Sequence, residues 1–128
     1  LGVICGYADQ VRMIRRRLKG FKSDSFNRRE DEKFMVDTVD NFQGDERDII
    51  ILSLTATRNL NKSFMKEFNR INVAISRARC LLIIVGNGRE FSAVKTDLDG
   101  RHEFVYRRIV DQAKFHHGYF TEKDVMGE

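Results

Sequence analysis

Hydrophobic positions along this chain follow two rhythms, and the switches between them mark out its elements. Short apolar runs stand at "LGVIC" (1–5), "FMVDTV" (34–39), "DIIILSL" (48–54) and "CLLIIVG" (80–86), each of strand length. The last two are apolar at successive positions. That predicts strands covered on both faces, as in a parallel sheet. Elsewhere the spacing is helical. Val11, Ile14 and Leu18 recur at i, i+3 and i+7 within 9–20, a helix that Asp9 can cap and Gly20 can end, with Arg12, Arg15, Arg16 and Lys19 on its other face. Phe68, Ile71 and Ile75 form the stripe of a helix over 64–79, and 88–98 and 101–115 read as two more. Segments 21–33 and 55–63 lack either rhythm and read as loops; 116–128 reads as a tail of little order. Strands alternating with helices predict an α/β fold built on a parallel sheet.

At 128 residues the chain is expected to hold one domain, residues 1–115, followed by the tail 116–128. Its 41% hydrophobic and 33% charged content is that of a globular chain in water. No apolar run approaches membrane-spanning length, and no signal pattern opens the chain. Leu1 already sits in a strand-like run, so the segment is expected to come from inside a larger protein. A net charge of +4 and a pI of about 9.3 are compatible with phosphate-bearing partners without selecting them. Cys5 and Cys80 both flank apolar strands and read as buried free thiols in a reducing, intracellular compartment, cytoplasmic or nuclear. No Cys/His spacing suits a metal. His116 and His117 would project about 100° apart on a helix and read as surface groups.

Three stretches carry candidate chemistry. "VGNGREF" runs a strand through Gly-x-Gly into a helix, but Phe91 stands where a dinucleotide fingerprint needs its third glycine. No phosphate-loop motif occurs anywhere. Arg70 and Arg77, seven residues apart with Ala74 between them, are expected on one helix face away from the apolar stripe. Their donor forks suit an anion, or a salt-bridged surface with Glu67 or Asp45 as partner. The turn Gln43-Gly44-Asp45-Glu46, set between two apolar strands, is expected at a strand end where open α/β sheets take ligands. Gly44 permits close backbone approach, and the Glu46 carboxylate suits ribose hydroxyls better than phosphates. A turn stabilised by its own acids is the other reading.

Taken in order, "GVICGYADQ" (2–10), "VDTVDNFQGDERDIIILS" (36–53) and "SFMKEFNRINVAISRARCLLIIVGN" (63–87) resemble three blocks of the Upf-like superfamily 1 helicases. The resemblance covers roughly residues 2–95 and falls on the second RecA-like domain of that family, carrying motifs IV to VI. It implies a RecA-like three-layer α/β sandwich, a mostly parallel sheet flanked by helices, present here as a partial domain. Departures are Cys5-Gly6 for a usual Thr-Pro, Val11 where some members carry a second arginine, and Ser63 for a usual Gly.

The resemblance also implies roles. ATP would lie in a cleft against the first RecA-like domain, which would hold the phosphate loop and Mg2+. Arg77 would be the arginine finger, Glu46 would bond the ribose beside Gly44, and Gln10 would stand near the same cleft. Thr38 would meet a nucleic-acid phosphate, DNA or RNA. Asp40, Gln43, Asp48 and Arg70 would organise the motifs, with Asp40 or Asp48 the partner of Arg70, and Arg79 would be structural or at the interdomain surface. The function implied is the second motor half of an ATP-dependent helicase, a 5′→3′ translocase, inactive as a fragment. The alternative is a catalytically silent helicase-like module that binds nucleic acid or a protein.

Overall fold

The structure, a computed structural model, describes residues 1–18, 35–42, 44–54, 68–98 and 101–127. Strands β1 (Gly2–Cys5), β2 (Met35–Thr38), β3 (Arg47–Ser53) and β4 (Ala78–Val85) form one sheet in the order β2-β1-β3-β4, with every pairing parallel. Helix α1 (Ala8–Leu18) follows β1, and α2 (Phe68–Ile75) precedes β4. A 3-10 turn, Asp40–Phe42, leaves β2. Beyond β4 come α3 (Gly88–Ser92), a hairpin of β5 (Thr96–Leu98) and β6 (Arg101–Glu103), α4 (Val105–Phe115) and α5 (Glu122–Met126). This is the expected α/β architecture of a partial RecA-like domain. The expected loops 21–33 and 55–63, Gly20, Gln43 and the start of the second helix at 64–67 lie outside the described residues.

Alternation along the strands splits the core in two. On one face Val3, Cys5 and Val36 meet Val11 of α1, with Ile14, Leu18 and Ile51 at the margin. On the other, Ile4, Ile50 and Leu52 meet Ile71 and Ala74 of α2, Phe91 of α3 and Tyr106 of α4. The segment between β2 and β3 must return from the carboxyl ends of the strands to their amino ends, because both strands are parallel to β1. It crosses the α2 face with Phe42 fully buried against Gly2. A Cβ at Gly2 would stand 2.7 Å from Ile50 Cδ1 and 3.0 Å from the Phe42 ring, so only glycine lets the crossing lie this close.

Several sequence expectations are corrected here. The outer face of β4 is not covered: Leu81, Ile83 and Val85 are exposed, while Leu82 and Ile84 pack inward. Apolar residues at successive positions reported a buried strand, but α1 lies over β1 and β2 and does not extend across β4. The helix read over 88–98 stops at Ser92, and β5 pairs with β6 in the register Leu98↔Arg101. The signal was present, since Asp99-Gly100 flanked by short alternating runs favours a hairpin. The tail is not without order. Thr121 and Asp124 form a reciprocal capping box at the start of α5, and Gly127, at φ 76°, ends it. Tyr119 lies against Gly88, under Lys114 Nζ at 4.9 Å from its ring. Among the described residues no helix is long and apolar enough to cross a membrane.

The two thiols also part company. Cys5 is buried and Cys80 is exposed on β4, so only one matches the expected burial. Burial, then the charge of Asp37, pushes the Cys5 thiol up to about 11. At pH 8 a soluble alkylating agent is therefore expected to modify Cys80 alone in the folded chain. Unfolding in denaturant should add Cys5, read by peptide mass; prompt native labelling of Cys5 would contradict the packing.

Candidate functional site

The pairing of β3 with β4 starts at Arg47 and Ala78, and Arg47 N–H donates to the Arg77 carbonyl at 3.0 Å. The residues just before the two strands, Glu46 and Arg77, are therefore neighbours on the amino edge of the sheet. Between Ala78 and Leu81, β4 carries one residue more than β3 does between Arg47 and Ile49, a bulge that bends the edge strand. There Arg79 Nε donates to Asp48 Oδ1 at 2.8 Å. Asp45 pairs with the Arg47 guanidinium, which also donates to the Glu46 carbonyl at 2.9 Å. This ties down the backbone under Glu46. The Glu46 carboxylate stays exposed, with no partner among the described residues.

Arg77 is not on the helix face where the spacing placed it. Helix α2 ends at Ile75, and Ala74, expected between two aligned arginines, is 1% exposed in the core. The chain turns at Ser76, and the Arg77 side chain folds back. Its Nε donates to the Val73 carbonyl at 3.1 Å and its Nη2 to Ser76 Oγ at 3.1 Å. The guanidinium thus caps the Val73 carbonyl at the negative end of α2. Both acceptors are neutral, and among the described residues no carboxylate pairs with it. Of the two acids considered for Arg70, Asp40 is its partner at 3.7 Å, whereas Asp48 goes to Arg79.

Gly44 has φ 80°, and Asp45 N–H donates to the Phe42 carbonyl at 3.0 Å, closing a four-residue turn. Glycine is required there by conformation; a Cβ would meet nothing within 4 Å. This turn delivers Glu46 to the amino edge, not to the carboxyl edge where open sheets usually take ligands.

Thr38 and Gln10 stand at the other edge. Thr38 is level with Cys5 and Ser53, and Gln10 Nε2 donates to Ser53 Oγ at 2.6 Å. Ser53 is six residues along β3 from Arg47, roughly 20 Å at the usual strand rise. So the fold brings Glu46, Gly44 and Arg77 to one edge, and Thr38 and Gln10 to the other. The sequence reading missed Asp37. Its carboxylate accepts from Thr38 N–H at 2.8 Å, Asn41 Nδ2 at 2.7 Å and Arg15 Nη2 at 3.3 Å, holding the end of β2 against α1. An acid inside a strand was the available signal. Tyr7, 41% exposed just past β1, adds an aromatic ring to that edge.

A family model described as an AAA domain matches residues 1–89. Helicase sen1 of Schizosaccharomyces pombe is 39% identical over 98 residues, covering 76% of this chain and 5% of that protein. An uncharacterized ATP-dependent helicase of Methanocaldococcus jannaschii is 40% identical over 85 residues, covering 66% of this chain and 11% of that protein. The DNA replication ATP-dependent helicase/nuclease dna2 of Schizosaccharomyces pombe is 33% identical over 89 residues, 68% of this chain and 6% of that protein. The chain spans only a small part of each of these relatives.

Asp37, at the end of β2, and Asp40, in the crossing segment, should differ in weight. Asp37 is mostly buried and accepts three hydrogen bonds, so Asp37→Ala is expected to cost about 1–3 kcal/mol. The Asp40–Arg70 pair is solvent-exposed, and Asp40→Ala should cost less than about 1 kcal/mol. Urea unfolding of both variants checks the order.

Proposed function

The chain belongs to the AAA domain family, as the C-terminal, second RecA-like domain of an Upf-like superfamily 1 helicase, and from that premise we propose that its amino edge forms one wall of an ATP site. The observation that carries this reading is the adjacency of Glu46 and Arg77, fixed by the Arg47–Arg77 backbone bond. An exposed carboxylate beside a guanidinium held only by neutral acceptors suits a ligand with hydroxyls at one end and phosphates at the other. Phosphate is the stronger acceptor, since charge-assisted bonds are roughly twice as strong as neutral ones. It would draw Arg77 off Val73 and Ser76.

In this reading Glu46 accepts hydrogen bonds from the ribose, and Gly44 keeps the turn beside it. Arg77 offsets the negative charge that grows on the γ-phosphoryl oxygens as water attacks in line. The phosphate loop comes from another domain of the polypeptide. Among the described residues no group of His, Cys, Asp or Glu could hold a metal. Magnesium, which would neutralise the phosphates, is assigned with the phosphate loop to that other domain on the resemblance alone. Gln10, expected near the nucleotide from the resemblance, lacks this support, because it lies at the far edge.

Thr38 is proposed to meet a phosphate of DNA or RNA at the carboxyl edge. The segment from Val39 to Asp45 then links strand contact to nucleotide contact, anchored midway by Phe42 and by Arg70 on Asp40. The 5′→3′ direction rests on the resemblance alone.

In the intact protein Arg77→Ala is expected to lower kcat for ATP about 10³–10⁵-fold with a small change in KM. Glu46→Ala should act mainly on KM. The isolated 128-residue chain is expected to turn over no ATP. ATP hydrolysis by that chain, abolished by Arg77→Ala, would sink the two-domain reading.

A further inference from the structure

Helix α1 carries four arginines, Arg12, Arg15, Arg16 and Arg17, against Asp9 alone, and one of them is tied to the sheet. Arg15 Nε and Nη2 donate to the Val36 carbonyl at 3.0 and 2.6 Å, and Nη2 also reaches Asp37 Oδ2 at 3.3 Å. The guanidinium therefore lies beside the residue that precedes Thr38, the candidate phosphate contact. Thr38 is level with Cys5, which is buried beneath α1, so Thr38 leaves β2 on the side of the sheet that this helix covers. The bonds of Arg15 use Nε and Nη2. Its Nη1 has no partner among the described residues, and the side chain is 54% exposed.

We propose that Arg15 is a second phosphate ligand beside Thr38, holding the backbone of a DNA or RNA strand through Nη1. The proposal rests on the Thr38 reading above and adds the charge that a hydroxyl lacks. Three features support it. The first is charge balance. The Asp37 carboxylate stands one residue from Thr38 and would repel a phosphate if left alone. Arg15 offsets it, and the four arginines of α1 still outnumber Asp9 and Asp37 together, so the end of β2 stays positive. The second is preorganisation. A loose surface arginine loses rotamer freedom when it binds, whereas Arg15 is already held by its bonds to β2. Arg12 pairs with Asp9 on its own helix, and Arg16 and Arg17 make no ion pair among the described residues. The third is surplus. A neutral donor would suffice to cap the Val36 carbonyl, so the clamp leaves unused an open guanidinium edge that fits a phosphate oxygen.

Binding of the intact protein to fluorescein-labelled oligo(U) and oligo(dT), followed by anisotropy across a range of KCl concentrations, tests this. Arg15→Gln keeps a donor for the Val36 carbonyl and removes the charge. It is expected to weaken binding about tenfold at low salt, alike for both strands. The slope of log affinity against log salt should fall by about 0.7, the share of one phosphate on a single strand. The same change is expected in an Asp37→Asn background, where the acceptor oxygen remains but the acid no longer needs neutralising. An unchanged slope, or a loss seen only while Asp37 is charged, overturns the proposal and leaves Arg15 a neutralising clamp. Thr38→Ala, measured in parallel, should weaken binding with the slope unchanged, because a hydroxyl displaces no counterion. Weaker binding by Thr38→Ala with no effect of Arg15→Gln removes Arg15 alone and leaves the Thr38 contact standing. A slope change from Arg15→Gln with no effect of Thr38→Ala does the reverse. If Arg15→Gln fails to fold, Arg15→Met in the Asp37→Asn background decides by the same slope.

Discussion

The backbone bond from Arg47 to Arg77 starts the β3–β4 pairing and fixes which side chains share an edge. Strand pairing is directional and registered, so a shift of one residue would turn Glu46 and Arg77 to different faces. The register is held from below by Ile50 and Leu52 in the core and from the side by the pair of Arg79 and Asp48, which spans the two strands. Stability of the sheet and geometry of the candidate site are thus one constraint. Arg77 adds a second layer, since it also closes the end of α2.

Parallel topology imposes the other main feature. A chain that ends β2 at the carboxyl edge and starts β3 at the amino edge must cross the sheet. The crossing is buried at Val39 and Phe42, and Gly2 leaves it room. That places the candidate nucleic-acid contact, Thr38, and the candidate nucleotide contact, Glu46, at opposite ends of one anchored segment. A displacement at either end has a direct covalent route to the other.

Much of this was legible in sequence. The four strands declare themselves by apolar runs, α1 by Val11, Ile14 and Leu18, and the family by three ordered blocks. What escaped was set by distance in space. Which edge receives Glu46 depends on crossing length and register, and neither leaves a local mark. Ala74 seemed to lie between two arginines because helical spacing was extended past Ile75, where the chain turns. The bare face of β4 was hidden because apolar residues at successive positions look alike whether or not a helix covers them. The β5–β6 hairpin differs, because its Asp99-Gly100 signal is local and competes with a helical spacing over the same residues.

The central claim is that Glu46 and Arg77 grip one nucleotide. It is tested most directly by a structure of the intact protein with a non-hydrolysable ATP analogue bound. The predicted result has Arg77 released from the Val73 carbonyl and Ser76 Oγ and bonded to the terminal phosphate, with the Glu46 carboxylate on a ribose hydroxyl. A nucleotide bound away from this edge, with Arg77 still folded onto α2, would contradict it.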